Sequence, residues 1–182
     1  MIRRAISITL LTLLVLIVTA LSVTAITIQE AQPIKQEGEF ICKLYNTKCD
    51  IIFVDNEYPY ARTRLYGIIN VSNSLVEMMS KDELRGVIYH EVGHRILKHV
   101  EQIATLIDNP AVTKREISEF RYKKELEADK FATLLVKYTR RKEGLSSALL
   151  KLTPLEFMDK DSSTHPSTRL RIINIRDIYY GK

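Results

Sequence analysis

The chain has 182 residues, 46% of them hydrophobic, which is enough for one domain with a real core and too few for two. Its formal charge of +5 is modest, and Lys and Arg are interspersed with Asp and Glu rather than gathered in a block, which argues against a nucleic-acid surface. No Trp, 6 Gly and 5 Pro argue against repeats and low complexity and fit a helix-rich fold.

After Arg3 and Arg4, residues 5–28 carry no charge and are mostly Leu, Ile, Val, Ala and hydroxyl residues. A run of this length can cross a bilayer core of roughly 30 Å, so residues 1–28 are expected to form one hydrophobic helix that anchors the chain in a membrane. A cleaved signal peptide is the alternative, because Val18-Thr19-Ala20 and Val23-Thr24-Ala25 both resemble a small-residue cleavage site. In either case the arginines stay on the cytoplasmic side. The rest then lies across the membrane, as the extracytoplasmic domain of a single-pass protein or as a secreted or periplasmic one. Residues 29–39 are polar and read as a linker, with the folded domain over 40–182.

Cys42 and Cys49 flank a polar-centred stretch that can turn back on itself, and in an oxidising compartment a disulfide is expected. Asp50-Ile51-Ile52-Phe53-Val54-Asp55 reads as a buried strand bounded by turn formers. Residues 56–63, with Pro59, interrupt it. Gly67-Ile68-Ile69-Asn70-Val71-Ser72 then alternates partly between apolar and polar side chains, as an edge strand with one face on the core would. Such an edge can add an extended substrate backbone, or serve only as the scaffold strand before the next helix.

Ser80-Lys81-Asp82-Glu83 is a capping box that opens a long predicted helix. Leu84, Val87, Ile88, Leu97, Val100, Ile103, Ala104 and Ile107 keep helical spacing as far as the Asn109-Pro110 stop. In its middle lies His90-Glu91-Val92-Gly93-His94. Positions four apart share a helix face, so the two imidazoles point at one spot and make half of a tetrahedral zinc site. The Glu91 carboxylate can reach a water in the open coordination position and there take and return a proton, which is the chemistry of peptide-bond hydrolysis. The alternative is an ordinary amphipathic helix with incidental histidines, but with four His in the whole chain such a pentad is rare by chance. Gly86 and Gly93 each weaken a helix by roughly 1 kcal/mol relative to Ala, so each is expected to have a packing reason. At Gly93 that reason is expected to be another backbone passing close to the metal. His99 lies off the face of the pair and reads as a polar surface residue or a support behind a ligand, not as a ligand.

A second capping box, Thr113-Lys114-Arg115-Glu116, opens a helix that runs to a basic cluster at 137–142, with Gly144 beyond. Within it Glu125, Ala128, Asp129 and Ala132 form one stripe of two acids among small residues. Carboxylates on a packable stripe need a partner when buried, and a metal supplies one. Glu125 is then the third ligand and Asp129 the acceptor that orients a ligand imidazole. A solvated acidic face paired with Lys123, Lys124 and Lys130 is the other reading, and Glu127 is assigned to it. Residues 145–152 fit a short helix, and Thr164-His165-Pro166 a further helix start, followed by the apolar face of Ile172, Ile175, Ile178 and Tyr179. His165 either donates a hydrogen bond to an oxyanion or caps and packs its helix.

His90-Glu91-x-Gly93-His94, the E-x-x-A-D of Glu125 to Asp129, and Thr164-His165-Pro166-Ser167-Thr168-Arg169 together resemble the gluzincin metallopeptidases of the M48 type. That group contains the CAAX prenyl endopeptidases and the membrane protease HtpX. The resemblance implies an α+β, zincin-like fold, mainly helical with a small β-sheet, and a helix carrying the pentad in the active site. It also implies one Zn2+ held by His90, His94 and Glu125, with Glu91 as catalytic base and Asp129 as supporting acid. The element bearing His165 is placed beside that site, and the substrate is a protein or peptide. With one candidate span the chain is similar to short, single-anchor or secreted members, and a prenyl-peptide substrate is not carried over. Pro59-Tyr60-Ala61-Arg62 stands where the family often has an Asn-Ala-Phe type strand before the substrate edge. The expectation is a zinc metalloendopeptidase, against a membrane-tethered scaffold that keeps the fold without catalysis.

Overall fold

The computed structural model describes residues 26–156 and 167–181. The hydrophobic helix expected over 1–28 falls almost wholly outside the described residues, and so do His165 and its helix start. Among the described residues, no helix is long and apolar enough to cross a membrane.

Helix α1 (Ile28–Leu44) occupies the stretch expected to be a linker. Residues 29–39 look polar only because one face is polar; Ala31, Ile34, Gly38, Ile41 and Cys42 recur at helical spacing and are buried. Thr27 and Glu30 close a capping box at its start. A side chain at Gly38 would strike Ile51 and Ile88, so the helix lies close on the core. Cys42 and Cys49 are bonded, as expected, and clip the end of α1 to the start of the sheet.

Three strands follow, β1 (Asp50–Val54), β2 (Ala61–Thr63) and β3 (Ile68–Ser72), in the order β1-β3-β2. β3 runs parallel to β1, with Asp50 opposite Ile68, and antiparallel to β2, with Thr63 opposite Ile69. The strand expected at the edge is therefore central, and the two edges are β1, expected to be buried but enclosed only at Ile51, and β2, from the segment expected to interrupt the sheet. Pro59 precedes the first paired residue, so its missing N–H removes nothing from the ladder. Gly67, at φ 85°, takes the chain from β2 back into β3 against the Lys48 carbonyl, a place with no room for a Cβ.

The remaining elements are helices: α2 (Asn73–Met78), α3 (Lys81–Ile96), α4 (His99–Ile107), α5 (Lys114–Tyr138), α6 (Leu145–Glu156) and α7 (Thr168–Tyr180). The capping boxes at Ser80 and Thr113 form as expected. α3 is the centre of the molecule, buried from Glu83 to His94 except at Arg85, and α1, α5, α6 and β2 pack around it. The single long helix expected over this region is two. The chain turns at Leu97-Lys98, with Lys98 left-handed at φ 58°, although the apolar repeat continues in phase across the break. Gly86 has the expected packing reason, since a Cβ there would lie 2.8 Å from the Leu145 backbone. At Gly93 the neighbour is the Phe131 side chain, 3.1 Å from a Cβ position, and not the passing backbone expected near the metal. The fold is α+β, mainly helical with a small sheet, as expected.

Candidate metal centre

α3 presents His90 and His94 one turn apart, and α5 crosses it on a stripe small enough for close approach, with Ala128 and Ala132 fully buried and Phe131 against Gly93. That crossing carries Glu125 to the imidazoles. His90 Nε2 and His94 Nε2 are 3.0 Å apart, and each lies 3.4 Å from a Glu125 carboxylate oxygen. Ligands about 2.0–2.1 Å from a tetrahedral zinc stand roughly 3.3–3.4 Å from one another, so the donor set fits three corners of such a site. Among the described residues, these three are the group of His, Cys, Asp and Glu side chains able to hold a metal ion together.

Each imidazole is backed by a carboxylate, by different routes. His90 Nδ1 lies 2.9 Å from Asp129 Oδ1, and Asp129, fully buried, is clasped by Arg171 through Nε at 2.8 Å and Nη2 at 2.7 Å. Burial pushes the Asp129 carboxyl up, but the Arg171 and His90 contacts outweigh it and hold the group at about 2. Burial likewise pushes His90 down, and Asp129 and Glu125 overcome it, raising His90 to about 9. These carboxylates thus favour a positive charge where the rings meet, a preference that an imidazolium or a metal cation satisfies.

His94 Nδ1 faces His99 Nδ1 at 3.0 Å, and His99 Nε2 lies 3.1 Å from Glu127 Oε2, which also accepts from Lys124 Nζ at 2.9 Å. His99 is completely buried rather than a surface residue, because the left-handed Lys98 turns it back beneath His94. Burial first, then the nearby His94 and Lys124, push its pKa down to about 4.

Glu91 is gripped from the sheet. Its Oε2 accepts the Thr63 backbone N–H at 2.6 Å and lies 2.7 Å from the Thr63 hydroxyl, which is also 2.8 Å from the Glu91 carbonyl. β2 therefore runs across α3 at the pentad. The whole group opens into a cleft of about 620 Å³, with Arg62 and Thr63 on one wall, Ile103 and Arg121 on another, and Leu145 and Leu149 on a third.

Of the residues expected at the site, His90, Glu91, His94, Glu125 and Asp129 come together, while His165 lies outside the described residues. Thr63, Glu127 and Arg171 were not anticipated, and Glu127, assigned to a solvated face, is half-exposed yet bonded to His99. Arg171 had left a trace: it sits one turn before Ile175 on the apolar face of α7, where a cation needs a buried partner. Thr63 left none.

Residues 84–181 match the family model described as Peptidase U49, and residues 46–114 match the one described as Peptidase family M48. No curated protein and no solved structure matches the chain.

Proposed function

The chain belongs to an M48-type metallopeptidase family, the Peptidase U49 match alone covering more than half of it, and from that membership we propose that it is a zinc-dependent endopeptidase acting on proteins or peptides. The observation that carries the reading is the meeting of His90 Nε2, His94 Nε2 and the Glu125 carboxylate at 3.0–3.4 Å, with Glu91 lining the same cleft.

When bound, zinc supplies a Lewis acid for a water and for the scissile carbonyl. His90, His94 and Glu125 hold the ion, and Asp129 keeps the His90 proton on Nδ1 so that Nε2 offers its lone pair. Glu91 takes a proton from the attacking water and returns it to the departing amine. Thr63 occupies Oε2 of Glu91, so Oε1 is the oxygen that receives this proton. The Cys42–Cys49 bond supports a location in an oxidising compartment, across the membrane from Arg3 and Arg4.

Metal analysis and casein cleavage with the purified protein test the assignment. One zinc per chain is expected, with cleavage abolished by a chelator and restored by zinc. Glu125→Gln is expected to lose the metal. Glu91→Gln should keep it and lose about 10²–10⁴-fold in turnover. Full turnover in Glu91→Gln would remove that residue from the chemistry, and a zinc-loaded wild type that cleaves no protein or peptide would favour the scaffold reading.

A further inference from the structure

We propose that His99 and Glu127 are positioning residues for His94, forming a chain of two hydrogen bonds that fixes which nitrogen of His94 faces the metal and ties that ligand to α4 and α5. The inference rests on the zinc-site reading above.

Proton placement separates the two arrangements these rings can adopt. Two Nδ1 atoms 3.0 Å apart share one proton, so either ring, but not both, is the donor. If a neutral His99 donated, its Nε2 would carry no proton and would set a lone pair against the Glu127 carboxylate at 3.1 Å, acceptor facing acceptor. The remaining proton of His94 would then sit on Nε2 and point at His90 and Glu125, blocking coordination. The opposite arrangement satisfies both contacts of His99 and leaves His90 Nε2, His94 Nε2 and Glu125 as acceptors facing one another at 3.0–3.4 Å, a set that a cation between them completes. His94 donates from Nδ1 to His99, His99 donates from Nε2 to Glu127, and His94 Nε2 is left as a lone pair beside the other two ligands. The Glu127 charge, acting through His99, thus selects the coordinating form of His94.

Placement in the fold agrees. His99 is the one residue of α4 that is buried, and it is fully enclosed, whereas Val100, Ile103, Leu106 and Ile107 beside it are only partly covered or exposed. The best-protected contact of that helix is with the metal ligand. Glu127 is half-exposed at the far end, with Lys124 beside it, so the chain runs from the site to the surface.

Glu127→Gln, His99→Gln and His99→Leu in the full-length protein test the proposal. Zinc affinity is measured by competition with a chromophoric chelator, the ligand field by the visible spectrum of the Co2+-substituted protein, and folding by thermal melting of the metal-free form. Glu127→Gln is expected to raise the zinc Kd about ten- to a hundredfold and to shift the Co2+ spectrum, with the metal-free melting temperature unchanged. His99→Gln keeps an acceptor for His94 Nδ1 and is expected to bind zinc more tightly than His99→Leu. Should His99→Leu not fold, Glu127→Gln, altered at a half-exposed position, still decides. Unchanged affinity and spectrum in Glu127→Gln, with a wild type that binds one zinc, overturn this inference and leave the peptidase reading standing. A wild type that binds no zinc overturns both.

Discussion

Helix α5 is two different regions joined end to end. Over Lys114 to Glu127 no residue is buried, whereas from Ala128 to Val136 the helix buries Ala128, Asp129, Ala132, Thr133 and Val136 against α3 and α7. The candidate metal-binding group straddles the boundary, with Glu125 just on the loose side and Asp129 just on the packed side. The two imidazoles inherit the difference. His90 is braced from inside the core by Asp129 and Arg171, while His94 is braced through His99 and Glu127 at the root of the sparsely buried α4–α5 pair. One imidazole is thus held by the part of the molecule with most buried contact and the other by the part with least, which is where local opening is easiest.

The sharpest way to break this contrast is on the packed side. Arg171→Ala leaves Asp129 buried with its guanidinium partner gone, and a loss of about 3–5 kcal/mol is expected in urea unfolding of the metal-free protein. A loss below about 1 kcal/mol would mean that the core does not depend on the pair. Matched truncations compare the regions directly. Ile88→Ala, in the fully buried α3, is expected to lose about 2–5 kcal/mol, and Ile103→Ala, on half-buried α4, about 1 kcal/mol or less. Equal losses would erase the distinction between the regions.

Acid gives a smaller and signed effect. Asp129 titrates at about 2 in the folded protein against an ordinary value of 3.8, so between those values the unfolded chain binds the proton more readily. Its contribution, roughly 2 kcal/mol, is full above about pH 4 and is lost as the pH falls toward 2. Melting curves of the metal-free protein across that range should slope accordingly, and Asp129→Asn should flatten the slope. The smallest effect belongs to the loose region. Arg115 and Glu119 pair in full solvent, and Arg115→Ala is expected to leave the melting temperature unmoved. A measurable drop would show that the start of α5 is held more firmly than its exposure implies.

What could be read from the sequence follows from helical periodicity. His90 with His94, and Glu125 with Asp129, are each brought to one face by the turn of a single helix, and capping boxes at Ser80 and Thr113 mark where those helices begin. α1 escaped because an amphipathic helix with a broad polar face has the composition of a linker. The break at Leu97-Lys98 escaped because the apolar spacing is the same on both sides of it. Thr63 on Glu91, Arg171 on Asp129 and Glu127 on His99 join residues 28, 42 and 28 positions apart. No period within one helix encodes these partners; they exist only once helices cross and the edge strand is laid over α3.

The two-residue turn at Leu97-Lys98 has a consequence of its own. Each helical residue advances the chain by about 100° around the axis. One residue inserted or deleted in that turn would swing the His99 ring away from the His94 ring it touches, without altering any side chain in the cleft. The length of this connection is therefore as tightly constrained as the identity of the histidines it joins, and related chains that use the same contact should differ here by substitution and not by gaps.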